Sequence, residues 1–397
     1  MKEGWEYKKL DDICTIVGRI GFRGYTKADL VNSSKDGAIT LSPSNIINGE
    51  LDYSKCTYIN WDKYFESPEI MLENGDIVLV KTASIGKCAV VKKLPHEATL
   101  NPQFVVLKQL SGVSDFICYY LKSSIAQNTI KQMAGGVAIP TLSQKKLGMM
   151  IVPAPSLSEQ QSIVDYLDSA FAKIDAMKAN AEKSLNEAKA LFQASLKKML
   201  EPKEGWEEKT LKEITSKIGD GLHGTPKYSD DGNYFFVNGN NFENGLIEIK
   251  DNTKRIGLEE YEKYKIDLNT STVLLSINGT IGKTAFYDGE PIILGKSACY
   301  INVLPALLKE YLRYFLLSDF FVIYAKKNAR QATIVNLGLK ELRNMPIPLP
   351  PLSEQQSIVA TLDSLKSKVD RLQENYNKIS QECDALKQAL LREVFEG

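Results

Sequence analysis

Residues 157–164 read Leu157-Ser158-Glu159-Gln160-Gln161-Ser162-Ile163-Val164, and residues 352–359 repeat them without a change. Each copy follows a pair of prolines, Pro153 and Pro155 in one case, Pro348 and Pro350 in the other. Each opens a long segment with helical periodicity. A proline stops the segment before it, and Ser158 or Ser353 is predicted to cap the helix, with Gln161 or Gln356 completing a capping box. A second phrase, Lys-Glu-Gly-Trp-Glu, stands at 2–6 and again at 203–207. The chain is thus an internal duplication with a unit of about half its length.

The two predicted helices carry a heptad seam. In the second, Ile358, Leu362, Leu365, Val369, Leu372, Tyr376, Ile379, Cys383, Leu386 and Leu390 fall at alternating steps of four and three, as a coiled coil requires. In the first, the seam runs through Ile163, Leu167, Ala170, Ile174, Met177 and Ala181. It then continues through Leu185, Ala188, Phe192, Leu196 and Met199. The extra step of four at Ala181–Leu185 reads as a stutter, which relaxes a supercoil locally. If the seams pair within the chain, the second helix must run back along the first, so the pair is antiparallel. Some forty residues at ~1.5 Å each make a rod of roughly 60 Å with a globular domain at each end. The alternative is that each seam pairs with another copy of the chain.

Four segments follow from this pattern: 1–153, 154–201, 202–349 and 350–397. The first and third are mixed. Short strand-like runs at 37–41, 76–80, 88–91 and 104–107 recur in kind at 234–237, 272–277 and 300–304, separated by Gly, Asn and Pro. Each also holds a predicted helix, 116–133 and 307–328. The expected fold class is α+β: two pseudo-symmetric α+β domains joined by a long antiparallel two-helix coiled coil.

Composition narrows the function. The 397 residues suit two to four domains. Lys plus Arg and Asp plus Glu both number 49, so no global charge pulls the chain to nucleic acid, and any such contact must come from local basic patches or from a partner that shares the load. The six cysteines, Cys14, Cys56, Cys88, Cys118, Cys299 and Cys383, form no Cys-x-x-Cys pair and read as free thiols in a reducing, cytoplasmic setting. The opening residues are polar, unlike a signal peptide, and no apolar run approaches the ~20 residues that cross a bilayer.

The architecture and its motifs resemble the specificity subunit of a type I restriction–modification system. The resemblance rests on the junctions Pro153 to Gln161 and Pro348 to Gln356. It rests also on Gly-Trp-Glu at each domain start (Trp5, Trp206), on Ile-Gly-Lys at 85–87 and 281–283, and on the runs 220–228 and 23–27. It implies two target-recognition domains that read the two half-sites of a split sequence in double-stranded DNA. It implies no active site and no cofactor. It further implies two methyltransferase subunits as partners, joined by restriction subunits, and no membrane. The halves differ: the first lacks His-x-Thr-Pro and the second lacks Arg-Gly-Tyr-Thr, so the half-sites are expected to differ. The other reading is a structural rod holding protein ligands at both ends.

Asn101-Pro102-Gln103-Phe104 is similar to the loop of amino-methyltransferases, yet no glycine motif for a cofactor accompanies it, and a turn before a strand suffices. Gly279-Thr-Ile-Gly-Lys283-Thr284 has two residues between its glycines where a phosphate loop needs four. The two histidines, His96 and His223, lack partners at ligand spacing, so no metal centre is expected. The DNA-binding candidates are Arg19, Arg23, Tyr25 and Lys27 among glycines. Lys87 and Lys283 sit in the Ile-Gly-Lys turns, and His223, Thr225, Lys227 and Tyr228 in one loop. Lys326, Lys327 and Arg330 precede the second junction. Arginine can grip guanine at two acceptors, and lysine or tyrosine can hold phosphate.

Overall fold

The computed structural model describes residues 2, 4–136, 140–329 and 335–396. It divides into two compact units, Met1–Asn180 with Asn377–Gly397, and Ala181–Tyr376. Each unit contains one globular domain and the halves of two long helices that pack on it.

In the first unit the central element is an antiparallel sheet of β1 (Thr15–Val17), β2 (Ile77–Val80), β3 (Cys88–Val90) and β4 (Phe104–Lys108), in the order β1-β4-β2-β3. In the second unit β5 (Thr215–Asp220), β6 (Thr272–Ser276), β7 (Thr284–Phe286) and β8 (Ala298–Val303) form the same order, β5-β8-β6-β7. One face of each sheet packs on a second, smaller sheet. That sheet contains a parallel pair, Gly37–Leu41 with Ala98–Leu100 in the first unit and Tyr234–Val237 with Ile292–Leu294 in the second. Val78, Val80, Phe104 and Val106 meet Ile39, Leu41, Ala98 and Leu100 across that interface. The opposite face packs on helices, with Ile77, Leu79, Val105 and Leu107 against Phe116, Ile117, Leu121 and Ile130. A strand covered on both faces must be apolar at every position, which is why β2 reads Ile-Val-Leu-Val.

The helices expected at 116–133 and 307–328 are each two. Ser114–Lys122 and Ser124–Met133 are separated at Ser123, and Lys309–Leu316 and Asp319–Asn328 at Leu317 and Ser318. Ser123 has extended backbone and its hydroxyl accepts from Ala126 N–H at 3.4 Å, so it caps the second helix of the pair. Ser318 is also extended and fully buried, and its hydroxyl donates to Phe315 O at 2.6 Å.

The central helix spans Leu157–Leu200 and the terminal helix Leu352–Glu396. They pair within the chain and run antiparallel. In the first unit Lys387 Nζ meets Asp175 at 2.6 Å while Lys178 meets Asp384 at 3.4 Å, so numbers rise on one helix as they fall on the other. In the second unit Phe192, Leu196 and Leu200 share a core with Ile358, Leu362 and Val369. Ile163, Leu167, Ile174, Leu362, Leu365, Val369, Leu372, Ile379 and Leu390 are all buried or half-buried.

Three details differ from the sequence reading. Leu386 is 46% exposed, because beyond Cys383 the covered positions step by four, to Lys387 and Leu391, and the helix end turns Phe395 onto Trp5, Phe116 and Tyr120 of the domain. Met177 is likewise outside, at 58% exposed; Phe171 and Lys178 take the covered places beside Ile174. With them, steps of four and three run unbroken from Leu167 to Phe192, and the stutter at Ala181–Leu185 disappears. Finally, Ser158 and Ser353 lie inside the first turns. The central helix is capped by Ser156, whose hydroxyl accepts from Glu159 N–H at 3.3 Å, and the terminal helix starts after Pro351. Gln161 is exposed and donates to Asp165, four residues on, so no capping box forms there.

What the repeated phrase does instead is bind the helix to its domain. Gln160 is 4% exposed; its Oε1 accepts from Val113 N–H at 2.9 Å and its Nε2 donates to Pro155 O. Gln355, fully buried, accepts from Leu308 N–H at 2.8 Å and donates to Pro350 O and Ala306 O. A buried amide is tolerated when its donors and acceptor are matched; Gln355 has both N–H groups and its oxygen engaged, and Gln160 has its oxygen and one N–H engaged.

Candidate nucleic-acid interface

In both units the junction with the long helices and the candidate residues lie at opposite ends of the main sheet. β1 starts beside the junction, where Ser111 N–H donates to Ile13 O at 2.9 Å, and it ends at Val17. β2 ends at Val80, facing the start of β4 at Phe104. The loops beyond this far end are 18–29, 81–87, 101–103 and 140–143. In the second unit β5 ends at Asp220 opposite Cys299, and β6 ends at Ser276 opposite Ala298. Its far-end loops are 221–228, 277–283, 295–297 and 335–338. The duplication therefore places the same four loop positions together twice.

Backbone bonds tie the loops to one another. Thr82 bridges Thr141 in the first unit and Asn278 bridges Asn336 in the second. Gly86 N–H donates to Val80 O, and Gly282 N–H to Ser276 O, closing the Ile-Gly-Lys turn in each copy. Gly86, Gly279 and Gly282 take φ of 90°, 72° and 101°, which glycine adopts freely. Where the second unit has Gly279, the first has Ala83 at φ 65°, a backbone conformation that costs an alanine about 1 kcal/mol or more. The Asn101–Phe104 segment is a turn, with Gln103 N–H donating to Asn101 Oδ1 at 2.9 Å and Phe104 N–H to Asn101 O.

The candidates from sequence separate into two kinds. Arg19 is inside: it is 5% exposed, its guanidinium donates to Leu100 O, Thr99 Oγ1, Ser67 Oγ and Arg23 O, and it lies over the Tyr25 ring. Burial lowers its pKa, and its donors are taken by the protein itself. It therefore holds the 19–29 loop and is a structural residue. Arg23 pairs with Glu69 at 3.5 Å, and Tyr25 accepts a hydrogen bond from Thr40 at 3.3 Å. Lys283 pairs with Glu243 at 3.1 Å. His223 Nε2 lies 2.6 Å from Asp220 Oδ2, and Lys227 N–H donates to Glu260.

The second kind has exposed side chains: Lys27, Lys87, Thr225, Lys227 and Tyr228 in the far-end loops, and Lys326 and Lys327 in the last turn of the helix Asp319–Asn328. Tyr228 lies beneath Lys254 Nζ, 5.6 Å from its centroid, and 6.3 Å from the Phe236 ring; Arg255 lies over Phe235. Lys254 and Arg255 were missed from sequence because only the strand pairing at 234–237 and 255–256 brings them to Tyr228. Arg330 lies outside the described residues. Among the described residues no group of acids, histidines and cysteines could hold a metal ion, and no helix is long and apolar enough to cross a membrane.

Comparison with known proteins matches this arrangement. The type I restriction modification DNA specificity domain matches twice, over residues 2–187 and 203–381. The chain is 25% identical to the StySPI specificity subunit of Salmonella potsdam, with 100% of this chain and 89% of that protein covered. It is 24% identical to the EcoKI specificity subunit of Escherichia coli K12, again over 100% and 89%. A chain from a solved type I R-M system complex superimposes with a TM-score of 0.75 at 20% identity, covering 99% of this chain and 98% of that one. The HsdS subunit from Thermoanaerobacter tengcongensis superimposes with a TM-score of 0.56 at 19% identity, covering 100% and 97%. The chain belongs to the type I restriction–modification DNA specificity family, and it is a sequence-specific DNA-recognition subunit.

Proposed function

We propose that residues 1–153 and 202–349 are two target-recognition domains, each reading one half-site of a bipartite target in double-stranded DNA. Residues 154–201 and 350–397 are the helices that join them. The reading surface of each domain is the far end of its main sheet, where four loops converge. One observation carries this assignment: the two units repeat the same backbone frame there while filling it with different side chains. A common frame suits a common ligand, the duplex. Different side chains suit different base sequences. Lys27, Lys87, Lys227, Lys326 and Lys327 then hold phosphates, which position the protein without reading sequence.

The relatives are specificity subunits of type I restriction enzymes, and by that likeness this subunit brings methyltransferase and restriction subunits to DNA. Two methyltransferase subunits fit the duplication, since the junction exists twice with the same chemistry. Leu157 and Leu352, at 60% and 43% exposed, are apolar side chains offered at equivalent places on the two junctions.

The decisive experiment exchanges residues 202–349 for the matching segment of a relative and maps the methylated sequence in cells. One half-site should change and the other stay. Both changing together would overturn the assignment of one domain to one half-site.

A further inference from the structure

The two far-end frames can be aligned bond by bond. Lys81 N–H donates to Gln103 O at 2.7 Å, as Ile277 N–H does to Ser297 O; Leu142 N–H donates to Lys81 O, as Leu337 N–H does to Ile277 O. Lys81 therefore occupies the place of Ile277, Gln103 that of Ser297, and Gln144 that of Leu339. In the second unit this corner is closed. Ile277 is 2% exposed, and Ser297 is engaged with Asn238 Oδ1 and Gly239 N–H. In the first unit the same backbone place carries a lysine.

Lys81 is unlike the exposed lysines nearby. It stands one residue past the end of β2, with its backbone bonded on both sides, and it is half-buried. Strand alternation turns it to the face of Ile77 and Leu79, with Gln103 opposite it and Val105 next on that face. Burial lowers its pKa, and among the described residues no acid acts on it to offset that loss of solvation. A partly desolvated cation without a counter-charge is unfavourable in the free protein, so its place is best explained by a ligand. The strained backbone of Ala83, two residues on, lies in the same loop.

We propose that Lys81 is a base-reading residue of the first unit, donating to the acceptor pair on the major-groove edge of a guanine. This rests on the DNA-reading assignment above. A phosphate needs only a charge within reach, and flexible exposed lysines supply that. Discrimination between bases needs a donor at a defined position, which a side chain rooted at a strand end supplies. Guanine presents O6 and N7 together, the acceptor pair that a lysine or arginine engages best. The second unit, with isoleucine in this place, cannot make that contact, so this position offers one way for the two half-sites to be read differently.

The test uses the full chain with its own methyltransferase subunit. Lys81→Ile, Lys81→Arg and the parent are compared by long-read mapping of methylated sequence and by competition between duplexes that vary one base pair of one half-site. Isoleucine is the residue the second unit already carries there, so the frame accepts it, and intact reading of the remaining positions of the same half-site confirms that the first unit of the variant is folded. In Lys81→Ile, preference for guanine at one position should fall by roughly 5- to 150-fold while the rest of the motif stands. Lys81→Arg should keep the preference. An unchanged motif would overturn the proposal. So would a uniform loss over all sequences with a salt slope reduced by about one, the mark of a phosphate contact. A parent complex without sequence preference would overturn the DNA-reading assignment itself, and the role of Lys81 with it.

Discussion

The Trp5 indole N–H donates to Glu159 Oε1 at 2.8 Å, and in the other unit Trp206 donates to Glu354 Oε2 at 2.9 Å. The two phrases that the chain repeats, Gly-Trp-Glu and Leu-Ser-Glu-Gln-Gln, are thus the two sides of one clasp between domain start and helix start. Lys203 and then Trp206 hold the Glu354 carboxyl below its ordinary range. Trp5 is 9% exposed and meets Phe116 and Phe395 edge-on, so it contributes packing as well as a donor.

Trp5→Phe separates the two contributions. It keeps an aromatic ring and removes the N–H, and should destabilise the first unit by about 1 kcal/mol. Trp5→Ala removes both and should cost about 3–5 kcal/mol. Chemical denaturation followed by circular dichroism gives both values. Equal stability of Trp5→Phe and the parent would mean that the bond to Glu159 contributes nothing.

The duplication, the α+β domains and the antiparallel helix pair were legible because they rest on period: identical phrases and a seam of Leu, Ile and Val. What was not legible rests on contacts far apart in the chain. Leu386 fits the heptad, yet the helix end follows Phe395 onto the domain, and a seam reading cannot see that pull. Arg19 reads as a DNA ligand among glycines, yet Leu100 O and Thr99, some eighty positions away, take its donors. Ser123 and Ser318 sit in runs that look helical, and only their extended backbone divides the helices. The far-end loops carry the Ile-Gly-Lys turn twice, yet no motif tells which side chains read bases, since that depends on which residues four separate loops bring to one place.

The seam gives a paired prediction. Leu362, fully buried on the terminal helix, should cost about 2–5 kcal/mol when replaced by alanine. Leu386→Ala, on the same helix and at a nominal heptad position, should change stability by no more than about 0.5 kcal/mol. Thermal melts of the two variants decide between the observed seam and the ideal heptad. A large loss for Leu386→Ala would restore the ideal one.

Alkaline pH should weaken the first unit. The Cys14 thiol, buried and beside Asp11, is pushed up from 9.0 to about 12, chiefly by burial. A raised pKa means that the folded state binds the proton more tightly than the unfolded chain. The stabilisation is therefore complete below about pH 9 and is lost as pH climbs towards 12. Burial pushes the Tyr120 hydroxyl up to about 12 as well, with the same sign. Urea midpoints at about pH 8 and about pH 10.5 should differ for the parent and differ less for Cys14→Ala. Equal differences would show that the Cys14 thiol is not protected in the folded state.

Arg19 and Lys87 provide opposite expectations for two cations at the same end of one sheet. Arg19 bonds inward four times, so Arg19→Ala should leave Leu100 O and the hydroxyls of Thr99 and Ser67 without a donor and cost about 3 kcal/mol of stability. Any loss of DNA binding should then follow the loss of fold, and should be recovered at low temperature. Lys87 is exposed, one residue past the positive-φ Gly86. Lys87→Ala should leave the melting temperature unchanged. It should weaken binding equally for matched and mismatched duplexes, and lower the slope of log K against log salt by about one. Titrations of the methyltransferase complex at several salt concentrations test both residues. A change of sequence preference in Lys87→Ala would make Lys87 a base reader, and an unchanged salt slope would remove it from the interface.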